Sequence, residues 1–210
     1  MTQKKLDGRI VRLTETGGKT LTGTASYRSA GTCDREEDCV EINGNLIPES
    51  GIQQIVPLPQ FAVLRAAETW QQAGAYYVRI QAMARKHRIP LRQEFDEHDT
   101  PETKYIVVTD EDFPIATARM YPLDDQAVMI GRVVVLPEYR HQGIGTMVVR
   151  ACEEWAEELG FSKTVVESRD NKTAFYEELG YIIRGEPVQG ETFRCIRMEK
   201  ELRQRSDETP

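Results

Sequence analysis

The sequence predicts a two-part chain: a small all-β barrel over residues 1–57, then an α/β domain over residues 58–205 with a sheet flanked by helices, and a disordered tail over 206–210. Three observations predict it. Residues 129–136 form a nearly continuous apolar, β-branched run that Pro137 ends, and a glycine-bearing turn then leads into an amphipathic stretch. A second strand-like run, 163–167, completes a strand–helix–strand order. The first 57 residues instead hold short strand-like runs separated by turn residues.

In that first segment the runs are 9–14, 20–27, 39–42, 45–48 and 51–56, and the separators Gly17-Gly18, Gly31-Thr32 and Asn43-Gly44 suit tight hairpins. Order and spacing resemble an Sm-like small β-barrel. Gly18-Lys19-Thr20 imitates the end of a phosphate-binding loop, but the glycine required five residues earlier is Leu13 and no helix pattern follows. Pro57 and Pro59 mark a linker. Beyond it, 60–65 reads as an opening strand and 67–85 as a helix that Gly74 weakens without breaking. Strands are expected at 105–109 and 116–121, then the central strand, and a last one at 195–198.

On the helix after the central strand, Val148, Ala151, Cys152, Trp155 and Leu159 recur at helical spacing. Glu153, Glu154, Glu157 and Glu158 are placed on the solvent side. Between strand and helix lies Arg140-His141-Gln142-Gly143-Ile144-Gly145-Thr146, where two residues without a β-carbon let the backbone approach a ligand as the helix begins. The first N–H groups of a helix lack internal partners and carry partial positive charge, so this turn suits a diphosphate.

The pattern R-x-x-G-x-G after a buried strand, then a strand, then Phe175-Tyr176-Glu177-Glu178-Leu179-Gly180-Tyr181, resembles the GNAT superfamily of N-acetyltransferases over residues 60–202. The resemblance implies a GNAT-like mixed sheet flanked by helices and acetyl-CoA as acetyl donor. It implies a bulge near Val133, Val134 and Val135 that splays the central strand from its neighbour and exposes main-chain groups to the pantetheine arm, with an N–H near Val134 as oxyanion donor. The amides from Gln142 to Thr146 would hold the diphosphate, with Arg140 adding charge. Tyr176 would protonate the departing thiolate. For the base, Glu94, Asp96, Glu167 and a water relay all qualify; Glu167 is preferred because it ends the strand that should diverge from the bulge. The stretch Pro90-Leu91-Arg92-Gln93-Glu94-Phe95-Asp96 resembles a bacterial subgroup in which this region lines the acceptor side. One departure stands out: many members have asparagine seven residues before the tyrosine, where this chain has Arg169, and Asn171 is only five before it.

Composition bounds the partners. A net charge of −7 disfavours nucleic acid and anionic membrane, and no apolar run reaches the ~20 residues of a membrane helix. With no signal-peptide core, a cytoplasmic location is expected. Cys33, Cys39, Cys152 and Cys195 make no disulfide framework, and no metal site is expected. The first 57 residues carry seven basic and eight acidic side chains (7 − 8 = −1), so the barrel is read as a protein-contact or homodimerisation module. The competing readings are a non-catalytic acyl-CoA sensor and an RNA-binding or assembly barrel carrying a degenerate transferase. The acceptor is an amine, on a small molecule or a protein.

Overall fold

The computed structural model describes residues 3–189 and 193–203. The expected tail at 206–210 lies outside the described residues. The chain divides into two compact units, Met1–Gln60 and Phe61–Pro210.

The first unit opens with a helical turn, Gln3–Leu6, and continues as β1 (Ile10–Glu15), β2 (Thr20–Arg28), β3 (Cys39–Ile42), β4 (Asn45–Pro48) and β5 (Ile52–Pro57), all paired antiparallel in the order β4-β3-β2-β1-β5. Alternation makes its core: Val11 and Leu13 point inward from β1 and meet Leu6, Ala25, Val40, Ile42 and Ile47. Asn43 and Gly44 both take positive φ (50° and 77°), the backbone that a two-residue hairpin between β3 and β4 demands. Among the described residues no ladder joins β4 to β5, so the unit is a strand-rich antiparallel sheet and not a ring closed by hydrogen bonds. The expected hairpin at Gly31-Thr32 is instead one helical turn, α1 (Ala30–Cys33). The Asp38 carboxylate accepts the Ala30 N–H at 2.9 Å, and Asp34 ends the turn with φ 52°. Cys33 and Cys39 are free thiols with sulfurs 3.5 Å apart.

The second unit holds β6 (Phe61–Arg65), α2 (Thr69–Arg79), α3 (Leu91–Glu94), β7 (Lys104–Asp110), β8 (Phe113–Pro122), β9 (Ala127–Val135), α4 (Ile144–Glu158), β10 (Lys163–Arg169), α5 (Thr173–Glu178), β11 (Ile182–Gln189) and β12 (Arg194–Glu201). Its seven-stranded sheet runs β11-β12-β10-β9-β8-β7-β6, mixed because only β9 and β10 pair parallel. A parallel neighbour needs a crossover, and α4 supplies it. Helix α2 starts at a capping box, Glu68 with Gln71, and from Ile80 to Arg85 it widens into π geometry. Gly74 has a packing reason: a β-carbon there would lie 3.0 Å from Pro114.

Residues alternate between the two sheet faces. Ile106, Val108, Val128, Ile130 and Val166 pack with Ile144, Val148, Cys152 and Tyr176 from α4 and α5. Tyr105 and Val107 meet Ala75, and Val134 meets Val78 and Ala82, on the α2 side. Two details of α4 differ from expectation. Glu153 is buried, because Lys200 of β12 reaches it at 2.7 Å, whereas Leu159 is exposed beyond the last turn. Strand β11 escaped the sequence reading because it is exposed along most of its length and shows no alternation.

Candidate active site

The site grows from a place where the sheet stops being a sheet. Strands β9 and β10 pair only from Ala127 to Met129 against Lys163 to Val165, after which they part, and the rest of β10 bonds only to β12. On its other side β9 carries a bulge. Arg119 faces Gly131 and Thr117 faces Val134, so a single residue of β8 opposes Arg132 and Val133, and Arg132 takes φ 52°. This is slightly N-terminal to the predicted Val133–Val135 position. Val133 and Val135 pack into the α4-side core and Val134 into the α2 side, so all three side chains are anchored along the open stretch.

The turn after β9 returns to the same end of the strand. Arg140 Nε donates to the Val135 carbonyl at 3.1 Å, which ties the loop to the strand tip. His141 and Gly143 take positive φ, 62° and 78°. The first bond into α4 runs from Met147 N–H to the Gly143 carbonyl at 3.1 Å. Among the described residues the N–H groups from Gln142 to Thr146 meet no acceptor. Ile144 is buried and pins the helix start, and Thr146 is half-buried. A β-carbon on Gly143 would meet nothing within 4 Å, whereas one on Gly145 would touch the Phe175 ring at 3.4 Å and Val135 at 4.0 Å. Gly143 therefore leaves open space beside the turn, whereas Gly145 lies in contact with Phe175 and Val135.

These groups fit an anionic, phosphate-bearing cofactor: unbonded N–H donors at a helix start, an open glycine cradle, and the Arg140 guanidinium beside them.

Tyr176 sits on α5, edge-on to Phe175 at 4.9 Å and to Tyr181 at 5.6 Å, and is 9% exposed. Burial, with smaller contributions from Cys152 and Cys195, pushes its phenol well above the ordinary 10. It is therefore protonated at neutral pH.

The opposite face carries a feature that sequence reasoning missed. Arg79 on α2 is fully buried and donates to the Glu94 side chain at 2.9 Å, to the Glu94 carbonyl and to Asp99. Arg119 on β8 reaches Asp96 at 2.6 Å and Asp99 at 2.7 Å. Arg132, at the bulge, reaches Asp96 at 2.9 Å and the Glu94 carbonyl at 3.2 Å, and the Tyr105 hydroxyl donates to Asp99. Three guanidinium groups thus meet three carboxylates. Burial pushes Asp96 and Asp99 up, but hydrogen bonds and charge from Arg119 and Arg79, respectively, outweigh it and hold both below the ordinary carboxylate value. Glu94 and Asp96 are thereby committed to ion pairs. Glu167 is exposed, and its charge acts on Tyr121 and on Cys195. The signal for this cluster was in the sequence: Arg119 interrupts an apolar strand run and Arg132 another.

Comparison with known proteins gives a consistent picture. The family model of the acetyltransferase (GNAT) family matches residues 65–181. An uncharacterized N-acetyltransferase of Bacillus subtilis, YjcF, is 28% identical over 116 residues, 55% of this chain and 81% of that protein. A Lactobacillus plantarum protein assigned as an N-acetyltransferase superposes with a TM-score of 0.65 at 30% identity, covering 68% of this chain and 98% of that one. The fold is also that of Escherichia coli ElaA, with a TM-score of 0.59 at 21% identity, over 68% of this chain and 99% of that one.

Proposed function

Because the chain belongs to the GNAT acetyltransferase family, we propose that it moves the acetyl group of acetyl-CoA directly to an amine, on a small molecule or a protein, without a covalent enzyme intermediate. The observation that carries this reading is the coincidence, at one end of β9, of a parted strand pair with a helix start whose N–H groups are unbonded.

The residues divide the work. The amides from Gln142 to Thr146, in the His141–Gly143 turn, would hold the diphosphate, and Arg140 would add its charge. Main-chain groups of Val133, Val134 and Val135, free of β10, would bind the pantetheine arm, and an N–H near Val134 would stabilise the oxyanion. Bound there, acetyl-CoA supplies the activated acyl carbon and a thiolate leaving group. Tyr176, kept protonated by burial, would give that thiolate its proton. Glu167, exposed on the α2 side beyond the last β9–β10 pair, would take the proton of the incoming ammonium directly or through water.

For the first unit, the outer strands β4 and β5 of its antiparallel sheet support a module that contacts protein or a second copy of the chain. Among the described residues no helix is long and apolar enough to cross a membrane, and we infer a cytoplasmic enzyme.

The test is a thermal-shift titration with acetyl-CoA, followed by thiol release with a panel of amines, peptides and aminoglycosides. Wild type should melt higher with acetyl-CoA. Gly143→Val should remain folded yet lose that shift, because its side chain would enter the open cradle from a backbone that disfavours it. A normal shift in the variant would mean that the turn is not the diphosphate site.

A further inference from the structure

On the α2 face of the sheet every buried arginine has a carboxylate: Arg79 has Glu94 and Asp99, and Arg119 has Asp96 and Asp99. The bulge arginine, Arg132, has Asp96 and Glu94. Arg169 is the exception. It lies four residues beyond Val165, the last residue of β10 paired with β9, so it stands where the strands have parted. Residues 165, 167 and 169 share a face, and Val165 packs with Ala127 and Met129 against Tyr121, so Glu167 and Arg169 project on the side covered by α2. There the Arg169 guanidinium lies 3.4 Å over the Phe193 ring, and its Nη2 lies 3.4 Å from the Met83 sulfur, a weak acceptor. Among the described residues no carboxylate is within ion-pair distance of it.

We propose, resting on the acetyltransferase reading above, that Arg169 is the specificity-determining residue of the acceptor site, and that the acceptor is an amine bearing a carboxylate, such as an amino acid or a peptide terminus. A half-buried guanidinium that has no ion-pair partner, only the more distant charge of Glu94, is costly unless a ligand completes it. An aromatic ring over its flat face leaves the N–H edge free, and that edge matches the two oxygens of a carboxylate. Glu167 stands two residues earlier on the same face, about 7 Å away along the strand, and offers the opposite charge to the ammonium end. Burial, then the charges of Arg169, Lys86 and Arg140, holds His87 below its usual value, so it is neutral at physiological pH and adds no second cation.

The experiment uses the full chain with acetyl-CoA and matched acceptors: free amino acids, the same amino acids as α-amides, and aliphatic diamines. Wild type should prefer the free acid over its amide by about 10- to 100-fold in kcat/KM, the range of a charge-assisted hydrogen bond. Arg169→Gln should erase that preference by raising the acceptor KM, with kcat and the acetyl-CoA KM within about twofold of wild type; Arg169→Lys should keep part of it. Equal use of acid and amide, turnover of diamines alone, or no turnover of any member overturns the proposal. So does an Arg169→Gln variant whose acetyl-CoA KM rises, since Arg169 would then belong to the cofactor. Absence of an acetyl-CoA thermal shift in wild type would mark failure of the underlying transferase reading instead.

Discussion

The two faces of the seven-stranded sheet are covered in opposite ways. Under α4 and α5 lies hydrocarbon: Ile106, Val108, Ile130, Val148, Cys152, Val166 and Met198. Under α2 and α3 lies a layer in which Arg79, Glu94 and Arg119 are buried and the Asp99 side chain is 5% exposed. The apolar layer is non-directional and tolerates small shifts, because burial depends on area and not on angle. The ionic layer holds only if each charge meets its partner, so it fixes where the segment from Glu94 to Asp99 must lie. Glu94, at the start of that segment, is near enough for its charge to act on Arg169. The difference teaches that this sheet is stabilised mainly from one side and shaped from the other.

The comparison breaks most visibly by removing one charge. Arg79→Ala leaves Glu94 and Asp99 buried without their main counter-charge and should lower unfolding stability by about 3–5 kcal/mol. On the other face, Ile130→Val should cost about 1 kcal/mol. Denaturant unfolding checks both. If Arg79→Ala costs no more than Ile130→Val, the ionic layer is not what fixes the segment from Glu94 to Asp99.

Tyr176 tests whether the apolar face is only scaffold, since it is a phenol set among hydrocarbon. Tyr176→Phe should lower turnover by on the order of 10²-fold or more while acetyl-CoA affinity stays nearly unchanged. The packing of the ring against Phe175 and Tyr181 survives the change, so melting should move little. Undiminished turnover would remove the tyrosine from the chemistry.

What the sequence made legible follows the same division. The strand, turn and helix from β9 to α4 were readable because an apolar run and a 3.6-residue period are local signals, and the family pattern pointed to Arg140, Gly143 and Tyr176. The ionic layer was not, because its members are spread over α2, the segment after α3, β8 and β9, and only folding brings them together. Arg119 within an apolar strand was a hint of a buried charge, yet nothing local names Asp96 and Asp99 as its partners. The bulge, expected near Val133 to Val135, begins at Arg132 and includes Val133; its positive φ leaves no mark in the sequence when the residue is not glycine. Gly145 shows the converse: a glycine in a ligand motif whose missing β-carbon is filled by Phe175.

The finest contrast between the faces is in acid. Asp96 and Asp99 have folded values below the 3.8 of the unfolded chain. A carboxylate depressed in this way adds stability above the unfolded value, and that stability is lost as pH falls from about 4 toward the folded values. On the apolar face Tyr176, Tyr181 and Cys152 are raised, chiefly by burial, so their contribution is present below the unfolded values of 10, 10 and 9 and is lost only as pH rises above them. Asp99→Asn should therefore be less stable than wild type at pH 7, with the gap narrowing toward pH 3 as wild type loses what the variant already lacks. Ile130→Val should keep a constant gap over the same range. Both tryptophans, Trp70 and Trp155, lie in the second unit, so fluorescence-monitored unfolding reads that unit alone. A gap for Asp99→Asn that does not change with pH would place the acid-sensitive groups elsewhere than in this ionic layer.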